Sequence, residues 1–265
     1  MDLQLIGEGN TAEVYAWQDG WILKLFRKGF SQDGIEKEYR VSKEVEKLGL
    51  PIPKAGELMQ YHGRSGIVYE RIHGESLLKL ISTKPWLAGK VAKQLAGIHY
   101  GIHQCKAEGL AGYKEELEWN ISHAGALSAE KKQTVLRYLE GLPQGTSLCH
   151  GDFHPGNLVK TENGYVILDW MTAAVGSPGM DVARTVLLLK DAEIPGALPG
   201  PARRMINRMR HRMARIYLKR YEKLSGLSAE EINQWRLPVL AARLTEWISE
   251  TEKEILRKEI DMLLQ

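Results

Sequence analysis

The hydrophobic periodicity of the chain changes once, near Ile72–Gly74, and this break limits the fold more than any other feature. From Leu3 to Ile72 the apolar residues come in short β-branched or alternating runs. These are Glu13–Trp17, Trp21–Phe26 and Gly66–Glu70, separated by turn pairs such as Asp19-Gly20 and His62-Gly63. Alternation with period two reads as strand, because successive side chains point to opposite faces of a sheet. One segment departs from it. Gly34–Leu48 carries Ile35, Tyr39, Val41, Val45 and Leu48 at roughly helical spacing and ends at Gly49, ahead of Pro51 and Pro53. After Gly74 the patterns are long and helical, over Pro85–His103, Ser128–Leu139, Gly179–Leu189, Pro201–Leu224 and Ser228–Leu264, the last with a break expected near Pro238. Two short strand-like runs, Ser147–Cys149 and Tyr165–Leu168, flank a polar, glycine-containing loop in their midst. The expected architecture is α+β in two lobes: a sheet with one helix over 1–73, and a mainly helical lobe over 74–265. The 265 residues suffice for two lobes that share a cleft.

Charge and cysteine content close off several functional classes. Thirty-six Lys and Arg against 33 Asp and Glu leave a net charge of +3, which disfavours a nucleic-acid or membrane partner for the molecule as a whole. Cys105 and Cys149 lie far apart with no CxxC, so neither a disulfide framework nor a zinc knuckle is expected, and a reducing cytoplasm fits. Met1–Gly7 has no basic stretch leading into an apolar run, and no uncharged apolar stretch reaches ~18 residues, so no membrane span is expected.

Three segments carry chemistry. Gly7-Glu8-Gly9-Asn10-Thr11-Ala12-Glu13-Val14 has the spacing of a glycine-rich phosphate loop, in which glycines let backbone amides approach a phosphate because no Cβ intervenes; a plain β-turn shares the pattern. Ten residues beyond Val14, Lys24 sits in the apolar run Ile22-Leu23-Lys24-Leu25, where an inward ammonium needs an anionic partner. Glu36, Glu38, Glu44 and Glu46 of the inserted helix are candidates, and spacing does not decide among them. The third segment is the most specific. His150-Gly151-Asp152-Phe153-His154-Pro155-Gly156-Asn157 is followed, twelve residues after Asn157, by Asp169 in Ile167-Leu168-Asp169-Trp170. Phosphoryl transfer needs a carboxylate that accepts the proton of an attacking hydroxyl, and hard oxygen ligands for Mg²⁺ on the phosphates. Asp152 suits the first task, Asn157 and Asp169 the second.

These motifs resemble the aminoglycoside phosphotransferase and choline kinase-like group of small-molecule kinases, over Gly7 to about Leu189. The resemblance implies the bilobal protein-kinase-like fold, an N-lobe antiparallel sheet with one helix and a mainly helical C-lobe. It implies ATP, with GTP as an alternative, together with Mg²⁺ and a small-molecule hydroxyl acceptor resembling an aminoglycoside, choline or a sugar. Residue by residue it makes Asp152 the catalytic aspartate, and Asn157 and Asp169 the metal ligands. Lys24 becomes the phosphate-binding lysine with Glu38 as its partner, Gly7 and Gly9 cover the phosphates, and the backbone at Glu70 and Ile72 holds adenine. Asp181 is implied to brace the catalytic loop.

Two departures matter. Ala12 stands where the third loop glycine would be, and only Trp170–Met180 separates Asp169 from Asp181, which leaves no room for a long phosphorylatable activation loop. Other features carry plainer readings. His99 and His103, at i,i+4 on a helix, lack further ligands and read as packing or exposed residues; His154 shapes a turn; Cys149 packs in a core. Glu246, Glu250 and Glu254 repeat every four residues beside Trp247 and read as salt-bridged surface or as a seat for an amine or sugar. Residues 201–220 form a basic amphipathic helix, with Arg203, Arg204, Arg208, Arg210, Arg212, Arg215, Lys219 and Arg220. It motivates an alternative to the enzyme, a nucleotide-binding regulatory module that recruits a partner through this helix.

Overall fold

The computed structural model describes residues 3–9, 11–192 and 199–265; Asn10 of the glycine-containing loop lies outside them. The elements run in chain order β1 (Leu5–Glu8), β2 (Ala12–Ala16), β3 (Trp21–Phe26), α1 (Gln32–Glu46), β4 (Ala55–Tyr61), β5 (Arg64–Glu70), β6 (Glu75–Ser76), α2 (Leu77–Thr83), α3 (Ala88–His103), α4 (Tyr113–His123) and α5 (Ala129–Glu140). They continue with β7 (Ser147–Cys149), β8 (Leu158–Thr161), β9 (Gly164–Ile167), β10 (Ala174–Gly176), α6 (Pro178–Asp191), α7 (Gly200–Ser225), α8 (Ala229–Asn233), α9 (Arg236–Arg243) and α10 (Glu250–Leu263). An N-terminal antiparallel sheet thus precedes a largely helical C-terminal region.

The sheet has the order β1-β2-β3-β5-β4, every pair antiparallel, which places β3 at its centre. Alternation along β3 sorts its side chains. Leu23 and Leu25 pack with Val68 on one face, while Phe26 packs with Ala12, Ile35 and Ile67 on the other, beneath α1. Lys24 shares the parity of Phe26 and so points toward the helix. In α1, capped by the Ser31 hydroxyl on the Gly34 amide, the buried stripe is Ile35, Glu38, Val41, Ser42 and Val45. A glutamate in the middle of that stripe is the element the sheet face is built to receive.

Within the helical region a single core joins Leu95 and Ile102 of α3, Ile121 of α4, Leu139 of α5, Phe153, Tyr217 of α7 and Trp235. Two small sheets, β10-β7 and β6-β8-β9, hold the segment that contains Asp152, Asn157 and Asp169. The short span Trp170–Met180 is used to return β10 against β7.

The last helical pattern breaks near Pro238, as expected: α8 ends at Asn233 and α9 starts at Arg236, with Pro238 in the first turn of α9, where its missing N–H costs no hydrogen bond. A second interruption falls at 244–249, before α10. Glu246 therefore lies ahead of the helix that carries Glu250 and Glu254, and the three do not form one stripe. Strands β1 and β4 and helices α2 and α4 have no clear signature in the sequence. Helix α4 buries only Tyr113, Leu117 and Ile121, and α2 only Leu77 and Ile81, too few apolar positions to establish a period.

Candidate active site

Lys24, Glu38 and Asp169 meet although 145 residues separate the first from the last. The Lys24 ammonium donates to Glu38 Oε1 at 2.7 Å and to Asp169 Oδ1 at 3.2 Å. The other glutamates of α1 are occupied or outward: Glu36 is exposed, Glu44 pairs with Lys47 and Glu46 with Lys43. Burial alone would lower the Lys24 pKa, but the two carboxylates outweigh it and hold the pKa above the ordinary lysine value. Burial pushes Glu38 upward against the pull of Lys24, and the Tyr69 hydroxyl donates to the same Glu38 oxygen at 3.1 Å. Glu38 Oε2, fully enclosed, has no partner among the described residues.

The glycine-containing turn lies at the edge of this sheet. Gly9 donates to the Ala12 carbonyl at 2.9 Å, and Arg27 donates to the Gly9 carbonyl while pairing with Glu8. A Cβ added at Gly9 would meet only the Ala12 carbonyl, at 3.7 Å, and one at Gly7 only Val14, at 3.6 Å. The protein's own packing does not demand glycine there, which agrees with a need for close approach by a ligand. Glu70 ends β5 and donates its amide to the Lys54 carbonyl; Ile72 lies two residues on, in the connection to the helical region.

The catalytic-loop candidates are tied down by backbone and histidine contacts. Gly151 has φ +77°, and a Cβ there would stand 2.5 Å from the Thr172 carbonyl, so only glycine fits. The His150 ring accepts from the Asp152 amide through Nδ1 at 3.2 Å, and its Nε2 donates to the Leu168 carbonyl at 3.0 Å. Burial lowers the His150 pKa, so the neutral ring links Asp152 to the residue before Asp169. Asn157 Nδ2 donates to the Asp152 carbonyl and to Asp152 Oδ2, at 2.9 and 3.2 Å, which turns its amide oxygen away from both. Asp169 itself takes a left-handed φ of +59° and is 44% exposed. Carboxylate and amide oxygens together form the hard donor set that Mg²⁺ requires, so the residues fit that ion.

Asp152 has two neighbours to which the sequence alone assigns no such role. His154 accepts from the Gly156 amide through Nδ1, which shapes the turn as expected, and its Nε2 also faces Asp152 Oδ2 at 3.5 Å. Arg184 of α6 lies 3.7 Å from Asp152 Oδ1, holds the Gly151 carbonyl through Nε, and donates to Glu246 at 2.5 Å. Burial raises the Asp152 pKa, but the hydrogen bond from His154 and the charge of Arg184 overcome it and hold the carboxyl well below the usual range. From Arg184 the alternation of charge continues through Glu246 and Arg243 to the buried Glu252. Trp247, beside Glu246, is 80% exposed. A single arginine on an apolar helix gives no periodic signal; an unmatched charge among Val182, Ala183 and Thr185 is the clue the sequence offers.

Asp181 organises the loop from beneath. Its Oδ1 accepts from the Gly151 amide at 3.0 Å, and its Oδ2 from the His150 amide at 2.5 Å. His99 and His103 also reach Oδ2 through Nε2, at 3.0 and 3.3 Å, and each Nδ1 is met by a tyrosine hydroxyl, Tyr217 and Tyr221 respectively, both at 2.6 Å. The two histidines are buried packing residues, one of the two expected readings. These ligand atoms lie within 4.8 Å of one another, yet both histidine rings and the His150 amide already converge on Asp181 Oδ2, and the Gly151 amide occupies Oδ1. Burial brings the His99 pKa down to about 4, so its ring is neutral, with the proton on Nε2 and Nδ1 accepting from Tyr217. Cys149 is buried, as expected, with its thiol pKa raised by burial.

With this geometry in hand, likeness to known proteins is informative. A family model described as the phosphotransferase enzyme family matches residues 2–216. No curated protein sequence matches the chain. Among solved structures, it is similar to aminoglycoside phosphotransferase APH(4)-Ia in a ternary complex with ADP and hygromycin B, with a TM-score of 0.68 and 15% identity, covering 98% of this chain and 92% of that one. Amicoumacin kinase hAmiN in complex with AMP-PNP, Ca²⁺ and Ami matches with a TM-score of 0.61 and 16% identity, covering 98% and 88%. ADP-bound aminoglycoside phosphotransferase APH(2'')-Ib matches at 0.59 and 15%, covering 100% and 92%. These likenesses establish the kinase-like fold. The family model, covering most of the chain, establishes descent: the chain belongs to the phosphotransferase enzyme family.

Proposed function

We propose that this phosphotransferase moves the γ-phosphoryl group of ATP, or of GTP, to a hydroxyl of a small molecule. The observation that carries the reading is the convergence of Lys24 on Glu38 and Asp169, which joins the central strand of the sheet to the loop of the helical region. In this reading residues 1–73 bind nucleotide, and 74–265 supply the metal ligands and the acceptor site. Gly7 and Gly9 cover the phosphates, Lys24 grips them while Glu38 fixes its position, and the backbone at Glu70 and Ile72 receives the base. Asn157 and Asp169 would hold Mg²⁺, which when bound neutralises charge on phosphate oxygens.

Asp152 orients the acceptor by accepting a hydrogen bond from its hydroxyl. With its pKa held low by His154 and Arg184, it is ionised at neutral pH and a weak base. It therefore takes the proton only as the oxygen bonds to phosphorus and becomes acidic, as a loose transition state allows. Arg184 and Glu246 extend from Asp152 toward exposed Trp247, so the acceptor, of aminoglycoside, choline or sugar type, would lie against this edge.

The test is Mg²⁺- and ATP-dependent phosphate gain in a metabolite extract supplemented with aminoglycosides, macrolides, choline and sugars, read by mass spectrometry. Asp152→Asn is the control. A phosphorylated species made by wild type alone supports the mechanism; equal turnover by the variant refutes it.

A further inference from the structure

The exposed basic side of α7 plays no part in the chemistry above, yet its surroundings are unusual. The inward side chains of α7, among them Met213, Ala214, Tyr217 and Tyr221, are buried against the core. Its outward side meets α3 in an open cleft of ≈ 590 Å³, lined by Lys90, Lys93 and Gln94 of α3 and by Ile216, Lys219, Arg220 and Lys223 of α7. All five cations are exposed, and among the described residues no carboxylate lines the cleft.

Elsewhere several surface cations are matched. Lys37 pairs with Glu116, Lys47 with Glu44, Lys131 with Asp261, and Arg236 with Asp191 and Glu259. Among the described residues none of the five cleft cations forms an ion pair. Gathering like charges in one concavity is unfavourable unless an anion offsets it, and within a Debye length of about 8–10 Å their potentials add.

We infer that the α3–α7 cleft binds a compact anion carrying several phosphate groups, at a site separate from the Lys24–Asp169 cleft. Its volume lies in the range of about 300–1,000 Å³ that small-ligand pockets occupy. Four of the five cations are lysines, flexible point charges of the kind that serve as phosphate binders. Among the described residues no aromatic side chain lines the cleft, so it lacks the stacking platforms of a single-stranded nucleic-acid groove. Ile216 is the one apolar residue among those that line it, and the stems of the cationic side chains supply the rest of its apolar surface.

The test is calorimetric titration of the full chain with tripolyphosphate at physiological ionic strength. It compares wild type with two triple variants of equal charge: Lys93→Gln/Lys219→Gln/Lys223→Gln in the cleft, and Arg203→Gln/Arg204→Gln/Arg208→Gln toward the start of α7. All six residues are exposed, so both variants should fold, which circular dichroism checks. Wild type and the α7 variant should bind alike. The cleft variant should lose affinity by about tenfold per lysine, near a thousandfold in all. Absence of binding to wild type overturns the inference. So does equal binding by the cleft variant, which would place the anion in the nucleotide cleft, and so does equal loss in the α7 variant, which would reveal only net charge. An oligouridylate, or vesicles rich in phosphatidylserine, that displaced tripolyphosphate from wild type would replace the compact occupant with a nucleic acid or a membrane.

Discussion

Acidification should destabilise this protein through His99 before Asp181 titrates. The ring is fully buried, with Nε2 on Asp181, Nδ1 against the Tyr217 hydroxyl and its face on Phe153 at 4.2 Å. A second proton would have to displace the tyrosine hydrogen bond in a site closed to solvent. Burial, followed by repulsion from His103, therefore wins over attraction to Asp181, and the pKa falls from 6.5 to about 4. Between these values the unfolded chain binds a proton that the folded chain refuses. Stability then rises with pH, so it is lost as pH falls from 6.5 toward about 4, at up to about 1.4 kcal/mol per pH unit and about 3 kcal/mol in total. Burial lowers the His150 pKa as well, which adds in the same direction. Asp181, its pKa depressed, contributes in a separate window, below the ordinary carboxylate value of 3.8. The assay is urea unfolding at intervals across this range for wild type and His99→Gln. The variant will be less stable at every pH, since it loses the tyrosine contact, so the informative quantity is the slope. The slope should flatten by about one proton's worth; parallel profiles would refute the reasoning.

Other expectations follow from the site. Glu38→Gln leaves Lys24 held by Asp169 alone and should cut kcat/KM for nucleotide about tenfold to a hundredfold with little change in KM for the acceptor, in steady-state assays varying each substrate. Arg184→Gln removes a cation that keeps the Asp152 pKa low, so the acid limb of the kcat profile should move to higher pH; an unmoved limb would discount the contact. Gly151→Ala combines a left-handed backbone with a clash against Thr172, and should cost more than about 1 kcal/mol in urea unfolding while also lowering turnover.

The division into sheet and helices is legible in the sequence because it rests on periodicity. The change from alternation to helical spacing survives any detail of packing. The site is legible where chemistry is compressed into a local motif, as in His150–Asn157 with Asp169. Glu38 is separable from Glu36, Glu44 and Glu46 only by resemblance; burial on the stripe of α1 is the physical reason, and it depends on which face meets the sheet. Arg184 and the second role of His154 are not legible, because their meaning arises from neighbours distant in sequence or around a tight turn. The pairing of His99 and His103 with Tyr217 and Tyr221 spans 118 residues in both cases, beyond any local pattern. The expected stripe of Glu246, Glu250 and Glu254 fails because the helix stop at 244–249 lacks a strong breaker.

That long span also has a consequence for synthesis. The donors to Asp181 come from positions 30, 31, 78 and 82 residues upstream, and the tyrosines that complete the histidines lie further downstream. A nascent chain that has emerged only as far as α6 carries every proposed nucleotide, metal and base residue. It still lacks Tyr217 and Tyr221, and so holds two buried rings without their hydroxyl partners. Closing contacts of such sequence separation is slow, because loop entropy is lost before the contact forms. The reactive loop should therefore reach its final rigidity only after α7 has left the ribosome, so that maturation of the site follows completion of the chain's second half.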